Sequence, residues 1–258
     1  MKRIGILYVQ ELKNAFHSFL AYILIAVFMA IASYFFASLI ATFSILSQQW
    51  KATPGAPEIS FNLTEIVLAG LFVNVACLAL FFTPMLTMRS FCEEKRSGTL
   101  ELLLTLPVRD YEVVFGKFLS VITLYFLMVL PLLLYPLLVR YVGGYFEWGT
   151  IFTGFLGLML LGACLAAAGI FISSLTDNQV ISSVLSFGLL ILLWTIGWVE
   201  NFSEENPVRW ISHFSLFEHY KSLAKGILDV KDIVYYIFLT VFFLYATLLS
   251  LESRALKR

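Results

Sequence analysis

The chain has 258 residues, of which 60% are hydrophobic and 13% are charged, and its mean hydropathy is +0.89. Its formal net charge is zero, which excludes a general electrostatic attraction for nucleic acid. The 17 basic and 17 acidic residues avoid six long stretches completely. The stretches are residues 19–46, 66–88, 118–139, 151–175, 180–199 and 233–251, and the segments between them are too short for a separate soluble domain.

Each of the six stretches lacks Asp, Glu, Lys, Arg and His, and they run from 19 to 28 residues. A helix needs about 20 apolar residues to cross the hydrocarbon core of a bilayer. Only a helix or a closed barrel satisfies every backbone polar group there, and barrel strands alternate apolar with polar residues. Residues 189–193, Leu-Leu-Ile-Leu-Leu, do not alternate. The sequence therefore predicts an all-α membrane protein with six transmembrane helices in a single domain over residues 1–258.

Residues 2–17, ahead of the first stretch, have an amphipathic pattern. Ile4, Leu7, Tyr8 and Leu12 recur at helical spacing, and polar residues such as Lys13 fall on the other side. This pattern predicts an N-terminal helix that lies in the membrane interface with its apolar face toward the lipid. A simple anchor and a docking role for a partner both remain open.

The loop over residues 89–117, between the second and third stretches, concentrates ten charged residues. Gly98 permits a sharp change of direction, Thr99 can cap a helix that follows it, and Pro107 ends that helix. Asp110 is a suitable start for the helix that enters the third span. The pattern predicts a short helix braced between two spans, which would tilt both when pushed. An ordinary charged hairpin loop is the alternative.

The fourth stretch is rich in small residues. Gly162 with Ala166, and Ala163 with Ala167, form two pairs of small residues four positions apart. Such pairs let helix backbones approach closely inside a membrane. We therefore expect this span to be a buried packing helix.

The segment over residues 200–232 contains aromatic residues near helical spacing. Asn206 and Pro207 are a helix start and Gly226 is a stop, which predicts an outer helix over residues 206–226 that lies on, or dips into, the outer leaflet. Its aromatic face consists of Trp210, Phe214, Phe217 and Tyr220. His213 and His219 are six residues apart and fall on opposed faces, so we expect interface histidines and no metal site.

The Lys and Arg residues between the spans indicate the orientation. With both termini in the cytoplasm, eleven of them lie inside and six outside. The excess of positive charge in the inner loops predicts a multi-pass protein of the inner membrane with both termini cytoplasmic.

The spans contain no ionisable group that could relay a proton or carry out catalysis at membrane depth. The chain also lacks a Gly-x-x-x-x-Gly-Lys-Ser/Thr phosphate-binding loop, because its one Gly-Lys pair, Gly116-Lys117, is followed by Phe and has no upstream glycine. We therefore expect a protein that is not an enzyme and that receives energy from a partner.

Residues 93–107, EEKRSGTLELLLTLP, resemble the E-E-x-x-x-G-T-x-E-x-L-L-x-x-P stretch of ABC transporter permeases of the type-2 exporter class. The Gly116-Lys117 pair is similar to the Gly-Lys of that family at the start of the third span. The likeness extends over nearly the whole chain. Its length and overall sequence pattern most resemble those of the small permeases of gliding motility and of nitrous-oxide-reductase maturation.

The resemblance implies that a second permease copy pairs with this one, as a homodimer or a paired permease, and that each docks on a cytoplasmic ABC ATPase subunit. That subunit would bind ATP and Mg, so no cofactor is expected in this chain. A periplasmic or membrane accessory subunit is a further implied partner, beside the lipid bilayer. The implied ATPase contacts, on a cytoplasmic coupling helix, are Glu93, Glu94, Lys95, Arg96, Gly98, Thr99 and Glu101.

Two functions are compatible with these patterns. In the first, the chain is the permease of an ATP-driven exporter that moves substrate across the inner membrane. In the second, it is a membrane mechanotransmitter or anchor that passes ATPase motion to a periplasmic partner, with the outer helix as its output surface and nothing translocated. None of these sequence patterns identifies a substrate.

Overall fold

The computed structural model describes residues 2–52, 64–99, 109–141, 147–197 and 214–255, and it contains no strand in these ranges. The all-α class is therefore confirmed. The described helices are α1 (Lys2–His17), α2 (Phe19–Ala52), α3 (Gly70–Thr87), α4 (Cys92–Arg96), α5 (Asp110–Val129), α6 (Leu134–Tyr141), α7 (Trp148–Leu175), α8 (Gln179–Thr195), α9 (Leu216–Ala224) and α10 (Val230–Ala255).

Five helical runs in the described residues are long and apolar enough to cross a membrane. They are Phe19–Gln49, Ile66–Arg96, Asp110–Tyr141, Trp148–Leu175 and Val230–Ser253, and they contain five of the six predicted stretches. The sixth stretch, 180–199, holds α8, which is apolar but has 17 residues, and residues 198–200 lie outside the described part. The described residues thus contain five helical runs that could span a membrane, and the sixth span remains a prediction.

Two spans depart from a regular α-helix. A π-helical turn over Thr64–Ala69 leads into α3, and a 3-10 turn over Leu130–Leu133 joins α5 to α6. The second irregularity coincides with Pro131, which has no backbone N–H to donate and is disfavoured in a helix interior. The predicted third span is therefore interrupted where its sequence cannot continue the hydrogen-bond ladder.

The core is built around α7, which packs against α3, α5, α9 and α10. Gly162 allows the closest approach: a Cβ there would lie 2.1 Å from a ring carbon of Tyr125. The hydroxyl of Tyr125 donates to the carbonyl of Leu158 on α7 at 3.1 Å, so the ring is held in this position. Ala166 and Ala167 are fully buried, and Ala163 is half-buried against the core.

α1 and the end of α10 lie at the same end of the bundle, which we call the N-terminal end. Lys117, at the start of α5, contacts α1, and the Ser250 hydroxyl of α10 donates to the carbonyl of Ser174 on α7 at 3.5 Å. The chain reverses direction at residues 176–178, and α8 then runs to the opposite end of the bundle. There it meets α9, and the Ser215 hydroxyl donates to the carbonyl of Trp194 at 3.2 Å.

The predicted outer helix is shorter in its described part. Residues 206–213 lie outside the described ranges, Phe214 and Ser215 are not helical, and α9 begins at Leu216. Gly226 follows the helix with a φ of 90°, which is the left-handed backbone expected of a helix stop. One face of α9 is fully buried among the spans, so this helix inserts into the bundle instead of lying flat on it.

Candidate functional site

The site lies at the N-terminal end, where the residues after α3 meet three other helices. We call residues 91–99, which include α4, the anchored loop. α4 has Glu93 and Glu94 in its first turn and Lys95 and Arg96 in its last. Acidic residues at the start of the helix and basic residues at its end offset the partial charges of the helix termini, which stabilises this short helix. Gly98 then has a φ of 71°, a conformation that glycine adopts without steric cost.

Lys117 joins three segments. Its Nζ lies 2.6 Å from Glu11 Oε1 of α1 and 2.6 Å from Glu94 Oε1 of α4, and it also sits 5.1 Å from the ring centroid of Phe91. The side chain is only 4% exposed, and a buried ammonium is stable only when it is paired. The two carboxylates therefore fix α1 and the anchored loop against the start of α5.

Lys95 ties the anchored loop to the end of α7. Its Nζ donates to the carbonyls of Ser174 and Thr176, the latter at 3.0 Å, and lies 3.6 Å from Asp177 Oδ1. The last carbonyls of a helix have no partner within the helix and carry partial negative charge. A lysine from another segment is well suited to satisfy them.

Ser173 completes the attachment. Its hydroxyl oxygen accepts the backbone N–H of Phe91 at 3.0 Å and of Cys92 at 3.3 Å, and it donates to the carbonyl of Met88 at 3.3 Å. The Cys92 thiol donates to the carbonyl of Thr176 at 3.3 Å. The backbone at the start of α4 is thus hydrogen-bonded to α7.

The structure separates the predicted contact residues into two groups. Glu93, Arg96, Gly98 and Thr99 are exposed, whereas Glu94 and Lys95 point into the protein toward Lys117 and α7. Glu101 lies outside the described residues, as does the rest of the helix predicted after Gly98. The described helix of this loop precedes Gly98.

Sequence reasoning missed the roles of Gly116 and Lys117. A Cβ at position 116 would lie 3.1 Å from Leu7 Cβ, so glycine allows α1 to pack on α5. The Tyr8 hydroxyl also contacts Thr123 Oγ1 at 3.1 Å. The apolar face of α1 therefore meets α5, and the available signal was the Gly-Lys pair immediately before an apolar stretch.

The start of α5 agrees with its prediction at Asp110. Glu112 Oε2 accepts the backbone N–H of Arg109 at 3.1 Å, which closes the first turn. Because Arg109 is extended, with a ψ of 143°, the chain enters the helix sharply here.

At the opposite end, the predicted aromatic residues occupy different environments. Phe214 is exposed, Phe217 packs on Trp194 with ring centroids 5.0 Å apart, and Tyr220 is fully buried and donates to the carbonyl of Phe72 at 3.1 Å. Burial raises the pKa of Tyr220 well above its ordinary value, so it remains a donor. Trp210 lies outside the described residues.

His219, also on α9, is bound within the protein. Its Nδ1 lies 2.7 Å from Asp232 Oδ1 of α10, and its ring stacks on Tyr235 with centroids 4.0 Å apart. Within the described ranges, no group of three His, Cys, Asp or Glu side chains could hold a metal ion.

These features define a multi-span helical membrane protein whose polar loop is anchored to several spans at one end. The family model of the ABC-2 family transporter proteins matches residues 43–251. The chain therefore belongs to that family and is the membrane permease component of an ABC transporter. The family implies a partner ATPase subunit and assigns no catalysis to the permease itself. No curated protein shows significant similarity to the chain.

Proposed function

We propose that this permease serves an ATP-driven exporter, in which ATP hydrolysis by a separate cytoplasmic subunit moves substrate across the inner membrane. The observation that carries the proposal is the attachment of the anchored loop to α1, α5 and α7. A displacement of this loop is passed to all three helices, because each attachment is a buried charge pair or hydrogen bond. For ATP to shift the equilibrium between two arrangements of the spans, it must bind more tightly to the ATPase in one of them. A stiff connection through the anchored loop would couple that binding to the spans.

The exposed residues Glu93, Arg96, Gly98 and Thr99 form the proposed ATPase contact, together with Glu101. Glu94 and Lys95 belong to the same segment but serve as positioning residues, since their charged atoms are bound inside the permease. The exposed charges would fix the docking register, as rim charges do at other protein interfaces.

A sixth span over residues 180–199 would give an arrangement with both termini in the cytoplasm. α8 runs from the N-terminal end to α9 at the opposite end, which is the course a spanning helix would take. The positive charges at the N-terminal end favour the cytoplasm. ATP and Mg would then meet only the partner subunit.

Pairing with a second permease copy is supported by one face of α2. Ala26, Ala30, Ala37 and Ala41 lie along that face and are exposed in the single chain. Small residues in a row let two helices approach closely in lipid, where close packing drives association. We propose a homodimer of the small-permease subtype that gliding-motility and nitrous-oxide-reductase-maturation systems use, with an accessory subunit as a further partner.

The test is charge reversal at the exposed contact, Glu93→Lys with Arg96→Glu, in the permease co-expressed with its native ATPase. We expect the ATPase to be lost from the purified complex while membrane insertion and thermal unfolding stay normal. Lys231→Glu, an exposed change at the opposite end of the bundle, is the control and should retain the ATPase. Normal co-purification and normal ATPase stimulation in the double variant would contradict the contact assignment.

A second measurement separates export from mechanical transmission. In liposomes that contain only the permease and its ATPase, an exporter should hydrolyse ATP faster when its substrate is present. ATPase activity that requires an added periplasmic protein and responds to no cargo would instead establish the mechanotransmitter.

A further inference from the structure

A cavity of about 480 Å³ opens between α1, α2, the end of α3, α4 and α5, at the N-terminal end of the bundle. It lies within one chain and is separate from the α2 face proposed for pairing. Its lining changes along its length: polar side chains surround the part near α1 and α4, and apolar side chains surround the part among the spans. Such a gradient matches a molecule with a polar head and an apolar tail.

Arg89 is the main cation of the polar part. Its Nη1 donates to the neutral hydroxyl of Ser18 at 3.1 Å, while its Nε is buried without a hydrogen-bond partner. Among the described residues, no carboxylate lies within ion-pair distance of this guanidinium. A half-buried guanidinium without a counter-ion is unfavourable, so an anionic group is expected beside it.

Carboxylates line the same part of the cavity. Glu93 is exposed there, and Glu94 Oε2 is buried without a hydrogen-bond partner while its other oxygen binds Lys117. A ligand with net negative charge would meet these carboxylates and be repelled. The wall therefore favours a ligand that carries an anion and a hydrogen-bonding cation together.

The apolar part consists of side chains from three spans. Leu24 of α2, Met85 of α3 and Val121 of α5 face it, and Met85 is 41% exposed at the surface of the bundle. Hydrocarbon chains that enter beside Met85 would pack against these apolar side chains.

We propose that this cavity binds an aminophospholipid of the leaflet at the N-terminal end. Arg89, with Ser18, receives the phosphodiester, the Glu93 and Glu94 carboxylates receive the primary ammonium, and the acyl chains follow the apolar wall. The ligand is held inside one permease chain and bridges α1, α2 and α5. It would therefore join the amphipathic helix to the spans as a bound component.

Thermal unfolding of the delipidated full chain tests this with soluble dihexanoyl lipids. Phosphatidylethanolamine should raise the midpoint. Phosphatidylcholine should raise it less because its ammonium has no N–H donor, and phosphatidylglycerol less because its net charge is negative. Glycerophosphoethanolamine and inorganic phosphate, which lack acyl chains, should have almost no effect. Equal shifts from all three lipids would show adventitious lipid only, and an equal shift from phosphate alone would show a simple phosphate site; either result overturns the proposal.

Arg89→Gln should weaken the apparent affinity for phosphatidylethanolamine by about tenfold or more, since it removes a hydrogen bond from a charged group. Arg140→Gln, at the exposed end of α6, is the matched control and should bind normally. If Arg89→Gln unfolds, Met85→Trp provides the second test, because a half-exposed site tolerates the larger ring while the ring occupies the apolar entrance. Unchanged binding in whichever variant folds would refute the assignment.

Discussion

Removal of the Lys117 ammonium tests whether the three-way ion pair holds the anchored loop. In Lys117→Met, Glu11 and Glu94 lose their shared cation, which lay 2.6 Å from each. Because both carboxylate oxygens lie 2.6 Å from the same Nζ, they are at most about 5 Å apart and repel by at least about 3 kcal/mol at an effective dielectric constant near 20. We therefore expect the free energy of unfolding to fall by about 2–3 kcal/mol, because partial solvent exposure of both carboxylates screens some of the repulsion.

The assay is thermal unfolding of purified variants in one detergent, with a cycle of substitutions. The triple variant Lys117→Met/Glu11→Gln/Glu94→Gln should recover most of the loss, since neutral side chains replace all three charges. Lys231→Met, whose lysine is 69% exposed beside Asp229, is the control and should be nearly neutral. A single variant as stable as wild type, or a triple variant no better than the single, would refute the reasoning.

Two further substitutions test the packing and attachment of α7. Gly162→Ala places a methyl group against the fixed ring of Tyr125 and should cost about 1–3 kcal/mol in a thermal unfolding assay, whereas Gly188→Ala on α8, with no atom within 4 Å, should be neutral or slightly stabilising. Equal midpoints for the two variants would contradict the close approach. Ser173→Ala leaves two backbone N–H groups at the start of α4 without their acceptor and should cost about 1–3 kcal/mol; hydrogen exchange at Cys92 should accelerate, and unchanged protection would argue against the bond.

Most of the architecture can be predicted from the sequence because the free-energy cost of placing a charged side chain in lipid is large. Burial of a charge in lipid is costly, and five of the stretches without charge lie within helical runs long and apolar enough to cross a membrane, two of which extend eight residues beyond the predicted bounds. Small residues likewise predicted the packing of α7, since close approach needs short side chains. The sixth stretch, residues 180–199, is long enough to cross a membrane, but its described helix α8 has 17 residues.

The anchored loop could be located from the sequence but not assembled from it. Lys117 pairs with Glu11, which lies 106 residues away in the sequence, and no local pattern encodes this pairing. The burial of Tyr220 was missed for a related reason: an aromatic stripe at helical spacing suits a bilayer interface and a protein core equally well. Only the position of α9 between the spans distinguishes the two.

The end of α7 has a consequence for how this sequence can diverge. Its last residues are bonded simultaneously to α4 through Lys95 and Ser173 and to α10 through Ser250. A substitution or an insertion there must suit three stretches of chain that are encoded far apart. Descendants that alter position 173 should therefore carry matching changes near positions 91–95, whereas the exposed outer surface of α10 is free to vary among apolar residues.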